Sequence, residues 1–208
     1  MTLAERGVAL LRAGGADPVL VVTGAAPELG LPATVTGAAP DLTLSVYTVY
    51  NPGWRTGMGS SLRAALTALG AAGQDRWAIS GVIAPQPAQR SWGNGEDAPT
   101  GDEVGAVVVA LADQPLVGEE AVRRLIGAYR GGASVAVAAY DGRPRNPVLI
   151  AREHWADVAA AATGDAGARG FLRARPELVT LIECGDTGRP DDIDTPDDLA
   201  RIIRTDTR

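Results

Sequence analysis

Two aspartates, far apart in the chain, stand where a carboxylate could hold a metal ion. Asp113 directly follows residues 106–112, the strongest strand pattern in the sequence. In open α/β sheets ligands bind beyond the carboxyl ends of the strands, so a carboxylate at such an end can face Mg²⁺. Asp113 could equally form a turn before Pro115. Its position alone leaves both interpretations open.

The acidic run near the C-terminus contains one carboxylate, that of Asp194, which the following helix does not need for capping. Thr195, followed by a proline, is typical of a helix N-terminus, and Asp197 and Asp198 fit its solvated first turn. Asp194 precedes this cap and is not needed to begin the helix. It is therefore a candidate second metal ligand, which gains weight only together with Asp113.

Two glycine-rich turns precede predicted helices. Residues 164–169 could bind an anion through backbone N–H groups and Arg169, or could simply connect two helices and expose that arginine. Residues 57–61 read GMGSS and could approach a base or a ribose. The alternative for this second turn is that Ser60 or Ser61 caps the following helix.

The sequence lacks the residues that several other kinds of catalytic or binding site require. The chain has one histidine, His154, and one cysteine, Cys184, so we expect no Ser-His-Asp or Cys-His set and no intramolecular disulfide. We expect Cys184 to be buried and His154 to be structural. No Walker A sequence and no Gly-x-Gly-x-x-Gly after a strand is present.

Charge and hydropathy argue against two classes of binding partner, nucleic acids and membranes. With 19 basic and 25 acidic residues the net charge is −6, which disfavours a nucleic acid as partner. No apolar run approaches the length of a membrane span, so we expect no membrane partner and a cytoplasmic location. A length of 208 residues suits one domain over 1–208.

Strand and helix patterns alternate along the chain, which predicts an α/β fold with a mainly parallel sheet. Short apolar runs predict strands at 19–23, 42–49, 106–112, 134–139, 147–150 and 178–182. Amphipathic patterns predict helices at 3–13, 62–69, 119–129, 152–162, 166–173 and 196–203. Residues 81–103, rich in Pro, Gly, Asn, Gln and Ser, predict an exposed flexible loop.

Five segments, in the same order, resemble motifs of MobA-like nucleotidyltransferases, in the branch of the molybdenum-cofactor cytidylyltransferases. They read NPGWRTGMGSSL (51–62), LADQP (111–115), RNPVL (145–149), GDAGAR (164–169) and DIDTPDDL (192–199). The family's usual histidine is replaced by Asn146. Together the five segments cover nearly the whole chain, which makes the resemblance specific.

This resemblance implies a Rossmann-like nucleotidyltransferase fold with three α/β/α layers, and transfer of CMP from CTP to molybdopterin cofactor with release of pyrophosphate. It implies that Asp113 and Asp194 are catalytic and hold Mg²⁺. By the same resemblance the nucleotide would contact Gly57, Met58, Ser60 and Ser61. The pterin substrate would contact Asn146, Asp165 and Arg169. A molybdoenzyme would be a further partner.

One signature of that family has no counterpart in this sequence. The family begins with a strand and a loop of the form L-A-A-G-x-S-x-R-x-G-x-x-K, which wraps the triphosphate and leads into a helix that resembles residues 1–13. This sequence contains neither that loop nor any lysine. The comparison predicts a start codon upstream of Met1, a sheet without its first strand, and weak or absent catalysis for the chain as given.

Three alternatives to the cytidylyltransferase remain at this point. The protein could transfer a guanylyl or another nucleotidyl group, since base choice does not follow from these residues. It could be an inactive relative that holds the cofactor for a molybdoenzyme. It could regulate or bind a partner through an exposed sheet. The two aspartates argue for an enzyme, because a carrier has no need of two metal carboxylates.

Overall fold

Six strands and five helices alternate in residues 2–26, 46–71, 104–195 and 197–198, which the computed structural model describes. The strands are β1 (Val19–Thr23), β2 (Val46–Tyr50), β3 (Ala106–Val109), β4 (Val135–Tyr140), β5 (Arg143–Ala151) and β6 (Val179–Glu183). The helices are α1 (Leu3–Ala13), α2 (Met58–Ala71), α3 (Glu119–Arg130), α4 (Trp155–Ala161) and α5 (Arg169–Ala174). None of these helices is long and apolar enough to cross a membrane.

The predicted elements within the described residues recur with three notable shifts. Residues 42–45 of the second predicted strand and most of the helix predicted over 196–203 lie outside the described residues. α2 begins at Met58 rather than at residue 62, so Ser60 and Ser61 lie in its first turn and their predicted capping role is wrong. Gly57 makes the early start possible because its φ of +103° turns the chain directly into the helix. The helix predicted over 166–173 begins only at Arg169. The predicted loop at 81–103 lies outside the described residues.

The third shift concerns β5, which is longer than predicted and runs antiparallel to both of its neighbours. The four-stranded sheet has the order β3-β5-β4-β6, in which β4 and β6 are parallel. β5 reverses direction because Asp141 and Gly142, with φ of 53° and 71°, join it to β4 by a two-residue hairpin. The two remaining strands, β1 and β2, pair in parallel.

Side chains of β4 and β5 alternate between two helix layers. Val137 and Ile150 face α2, α4 and α5, where they pack with Leu62, Trp155 and Phe171. Ala136 and Leu149 face the opposite side and pack against Leu125 of α3. Helices therefore cover both faces of the sheet, and the predicted α/β, Rossmann-like class is confirmed.

The single cysteine and the single histidine are structural, as predicted. Cys184 is fully buried, and its thiol donates a hydrogen bond to the carbonyl oxygen of Ile182. His154 lies in a 3-10 turn before α4, with Nε2 3.0 Å from Oγ of Ser134. Neither side chain borders the cleft described next.

A cleft of about 2080 Å³ runs between the two groups of strands. β1 and β3 both line it, and within the described residues β1 pairs only with β2 and β3 only with β5. The apolar residues 20–22 and 106–109 are accordingly only half-buried. Beyond β3 the cleft reaches a polar rim that includes Gln114, Asp192 and Asp194. The cleft thus has apolar walls along β1 and β3 and acidic groups beyond the carboxyl end of β3.

Candidate functional site

A backbone hydrogen bond joins the two distant segments that carry Asp113 and Asp194. Asp113 lies in the loop after β3, and its carbonyl oxygen accepts a 2.8 Å hydrogen bond from the backbone N–H of Ile193. Asp194 is the next residue along that second segment and is exposed. Thr195 and Asp198 exchange hydrogen bonds as a helix cap, so the cap does not use the carboxylate of Asp194.

The carboxyl group of Asp113 lies in an environment that disfavours its charge. Burial raises its pKa above the ordinary value, and the negative charges of Asp192 and, more weakly, Asp194 raise it further. Its Oδ1 is buried and has no hydrogen-bond partner among the described residues. An unpartnered buried oxygen next to like charges is a position that a cation would stabilise.

These residues fit a metal ion that is held jointly by protein and ligand. Within the described ranges, no group of three or more His, Cys, Asp and Glu side chains is arranged to hold an ion by itself. Mg²⁺ usually keeps several waters and binds through one or two carboxylates together with substrate phosphates. Asp113 and Asp194 are the two carboxylates that could supply this smaller ligand set.

The two glycine-rich turns contact each other directly. The backbone N–H of Met58 donates to Oδ1 of Asp165 at 3.3 Å. Gly57 allows this approach because a Cβ there would lie 2.6 Å from the carbonyl oxygen of Gly164 and 2.7 Å from Asp165 Oδ1. The segments predicted to meet the nucleotide and the acceptor are therefore neighbours.

Replacing Gly57 with alanine should destabilise the fold by about 2 kcal/mol or more, since a methyl group there overlaps the 164–165 turn and a positive φ strains alanine. Thermal and urea unfolding would measure the loss. Gly70→Ala is the matched control: nothing lies within 4 Å of a Cβ at this helical position. That change should stabilise the protein by about 0.5–1 kcal/mol. Equal stability of Gly57→Ala and the wild type would contradict the close contact.

Ser60 and Ser61 make different hydrogen bonds in the first turn of α2. Ser60 is 7% exposed, donates to the carbonyl oxygen of Gly57 at 2.8 Å and accepts from Nδ2 of Asn51 at 2.7 Å. Ser61 accepts from the same amide at 3.1 Å and also lines the cleft. Asn51 was not predicted as a site residue. Its turn-forming side chain, which accepts from the N–H of Gly53, was the available signal.

The predicted site residues divide into those that line the cleft and those that do not. The lining residues are Met58, Ser61, Asn146, Arg169 and Asp194. Those outside the lining are Gly57, Ser60, Asp113 and Asp165. In the second group, Gly57, Ser60 and Asp165 make internal contacts, and the carboxylate of Asp113 is half-buried.

Sequence reasoning also missed two residues beside Asp113. Gln114 is 5% exposed, and its Nε2 donates to Oδ1 of Asp192 at 2.7 Å. Both residues belong to segments that carried the resemblance, LADQP and DIDTPDDL. The two motifs therefore pointed to both residues, although nothing in the sequence indicated that their side chains contact each other.

Comparison with known proteins supports the fold class. The fold is that of a nucleotidyltransferase, the class to which similar solved structures belong. Residues 1–179 match the MobA-like NTP transferase domain, and the chain belongs to this family. Family membership supports the assignment of the protein as an enzyme.

Three solved structures illustrate the similarity. A homolog of Mycobacterium tuberculosis Rv0371c from Mycobacterium sp. strain JC1 is 26% identical, with a TM-score of 0.64 over 99% of this chain and 83% of its own. Rv0371c itself, in complex with manganese, is 20% identical with a TM-score of 0.61 over 98% and 87%. A nucleotidyl transferase from Methanothermobacter thermautotroptrophicus is 19% identical with a TM-score of 0.60 over 99% and 82%. The last two show the fold alone.

A curated relative matches at higher identity over a shorter length. Nicotine blue oxidoreductase of Paenarthrobacter nicotinovorans is 38% identical over 103 residues, or 47% of this chain. The match spans 50% of that relative's length. The name of this relative describes an oxidoreductase, although the family is one of NTP transferases.

Proposed function

We propose that this protein is a Mg²⁺-dependent nucleotidyltransferase that transfers CMP from CTP to molybdopterin cofactor and releases pyrophosphate. One observation carries the proposal: the buried, unpartnered Oδ1 of Asp113 is close to the charges of Asp192 and Asp194, and these two residues line a large cleft. Family membership and the five motifs support the choice of substrates. We further propose a cytoplasmic location and a molybdoenzyme as recipient of the product.

Two groups of residues would hold the reactants. Asp113 and Asp194 would hold Mg²⁺, which when bound neutralises charge on the phosphates. The turn that contains Gly57, Met58, Ser60 and Ser61 would lie against the nucleotide. The acceptor would contact Asn146, Asp165 and Arg169.

The chemistry asks the protein mainly for positioning and charge neutralisation. An oxygen of the acceptor's terminal phosphate would form a bond to the α-phosphorus of CTP while the bond to pyrophosphate breaks. Arg169 is exposed and lines the cleft, so its planar guanidinium can form paired hydrogen bonds to a phosphate. The contact between Met58 and Asp165 would keep the two substrate turns at a constant separation.

Pyrophosphate release, measured with molybdopterin cofactor and either CTP or GTP in the presence of Mg²⁺, tests this function. We expect weak turnover, because the sequence has neither the family's triphosphate-binding loop nor any lysine. This turnover should depend on both the cofactor and the metal and be at least tenfold faster with CTP, which corresponds to about 1.4 kcal/mol of discrimination. Faster turnover with GTP would assign the protein to guanylyl transfer. Cofactor binding without turnover would favour a carrier.

Nicotine blue oxidoreductase provides a second candidate, because this relative is 38% identical over the matched half of its length. Reduction of nicotine blue would be followed by loss of its colour, with NADH or NADPH as electron donor. The nucleotidyltransferase proposal expects no decolourisation above a no-enzyme blank. Decolourisation without pyrophosphate release would replace it by the oxidoreductase.

A further inference from the structure

The acidic segment of the site is attached along the loop that follows β3. We name residues 187–194 the acidic strap. Its backbone meets the loop at two points: the N–H of Arg189 donates to the carbonyl oxygen of Leu116 at 2.9 Å, and that of Ile193 donates to Asp113 at 2.8 Å. Between these points a side chain, that of Gln114, makes the contact.

Gln114 is suited to hold the strap because its amide is buried and faces negative groups. Its Nε2 donates to Oδ1 of Asp192 at 2.7 Å and lies 3.3 Å from the carbonyl oxygen of Pro190. With 5% of its surface exposed, this amide has little water to replace a lost partner. Asp192 is exposed, so the hydrogen bond is only partly buried. Hydrogen bonds to a charged acceptor are nevertheless stronger than those between neutral groups.

We propose that Gln114 is a positioning residue: by anchoring Asp192 it holds the acidic strap in the one register that keeps Asp194 beside Asp113. The inference deepens the proposed function and rests on it. Asp192 then acts as the anchor point of the strap, and Asp194 as the metal-facing carboxylate. Outer hydrogen-bond partners of this kind commonly tune metal affinity by 10–100-fold.

The alternative arrangement makes Asp192 itself a metal ligand. The two arrangements differ in what Asp192 must supply. An anchor needs only an oxygen that accepts from Gln114, and the amide oxygen of asparagine provides one. A ligand needs the negative charge, which asparagine removes.

Mn²⁺ affinity, measured by electron paramagnetic resonance on the full chain in the presence of CTP, separates the two. We expect Gln114→Leu and Asp192→Ala each to weaken Mn²⁺ binding about tenfold or more, and Asp192→Asn to restore affinity to within about threefold of the wild type. Asp157→Asn is the control for charge, since Asp157 is exposed on α4 and does not line the cleft. Hydrogen exchange of residues 187–194 should accelerate in Gln114→Leu and stay unchanged in Asp192→Asn.

The outcomes are distinct. Wild-type affinity in Gln114→Leu would overturn the inference and leave the proposed function standing. Equal losses in Asp192→Asn and Asp192→Ala would overturn it in favour of Asp192 as a ligand. A wild type that binds Mn²⁺ but transfers no nucleotide would refute the proposed function alone. A wild type that binds no Mn²⁺ would refute the metal site and this inference together.

Discussion

Asp113→Asn should lower the rate of pyrophosphate release by about 10³-fold, because a metal-facing carboxylate contributes several kcal/mol of charge stabilisation in such sites. The amide keeps the size of the side chain and removes the charge. Steady-state turnover with CTP and cofactor is the measurement. Mn²⁺ affinity should fall in parallel, whereas Asp157→Asn, at an exposed position on α4 outside the cleft, should leave both quantities near the wild type.

The same substitution should make the protein more stable at neutral pH. Burial and the charges of Asp192 and Asp194 raise the pKa of Asp113 in the folded state, so the ionised form opposes folding. For a carboxyl group with a raised pKa, this penalty is absent below the ordinary pKa of 3.8. It grows as pH rises through the folded-state pKa. The gain in melting temperature of Asp113→Asn should therefore be present at pH 7 and vanish in acid.

A mutant that keeps full turnover would show that Asp113 is only a turn residue, the alternative its position left open. A mutant that loses turnover and also loses stability at pH 7 would indicate misfolding rather than loss of a metal ligand. The combination of lower activity with higher stability is therefore specific to the proposed role.

Trp155→Ala should lower the free energy of unfolding by about 3–5 kcal/mol, as expected for a large aromatic side chain removed from a core. Trp155 is 5% exposed and packs with the α2 and β4–β5 side chains that underlie the cleft. Its indole N–H also donates to the carbonyl oxygen of Ile150 at 3.1 Å. The midpoint of urea denaturation measures the change.

Trp155→Phe separates the two contributions of this side chain. Phenylalanine retains most of the packing and removes the hydrogen bond, so about 1–2 kcal/mol should be lost. Asp157→Ala, an exposed position on the same helix, should change stability by less than about 0.5 kcal/mol. A loss below about 1 kcal/mol in Trp155→Ala would contradict the described core.

The sequence allowed most elements of the fold to be predicted because they depend on local patterns. β1 and α1 have the predicted bounds, since an apolar run and an amphipathic run between turn residues leave few alternatives. The direction of β5 was not predicted. The Asp141-Gly142 turn signal was visible, but a two-residue hairpin fixes a direction only once both flanking strands are known to pair.

For the site, the identity of its chemical groups could be read from residue types, and their proximity could not. Asp113 and Asp194 were candidates because each follows or precedes an element that does not need it. Their approach depends on the bond between Ile193 and the carbonyl oxygen of Asp113, a contact across 80 residues of chain that no local pattern encodes.

The sequence by itself determined the class of fold, the family and the acidic groups available for catalysis, because these are written in composition, periodicity and short motifs. Only the tertiary structure decided which of those groups meet. It paired Gln114 with Asp192, seated Gly57 against Gly164 and buried one oxygen of Asp113 without a partner. Such pairings arise from the packing of distant segments, whose free energy is shared over the whole fold and leaves no local trace in the sequence.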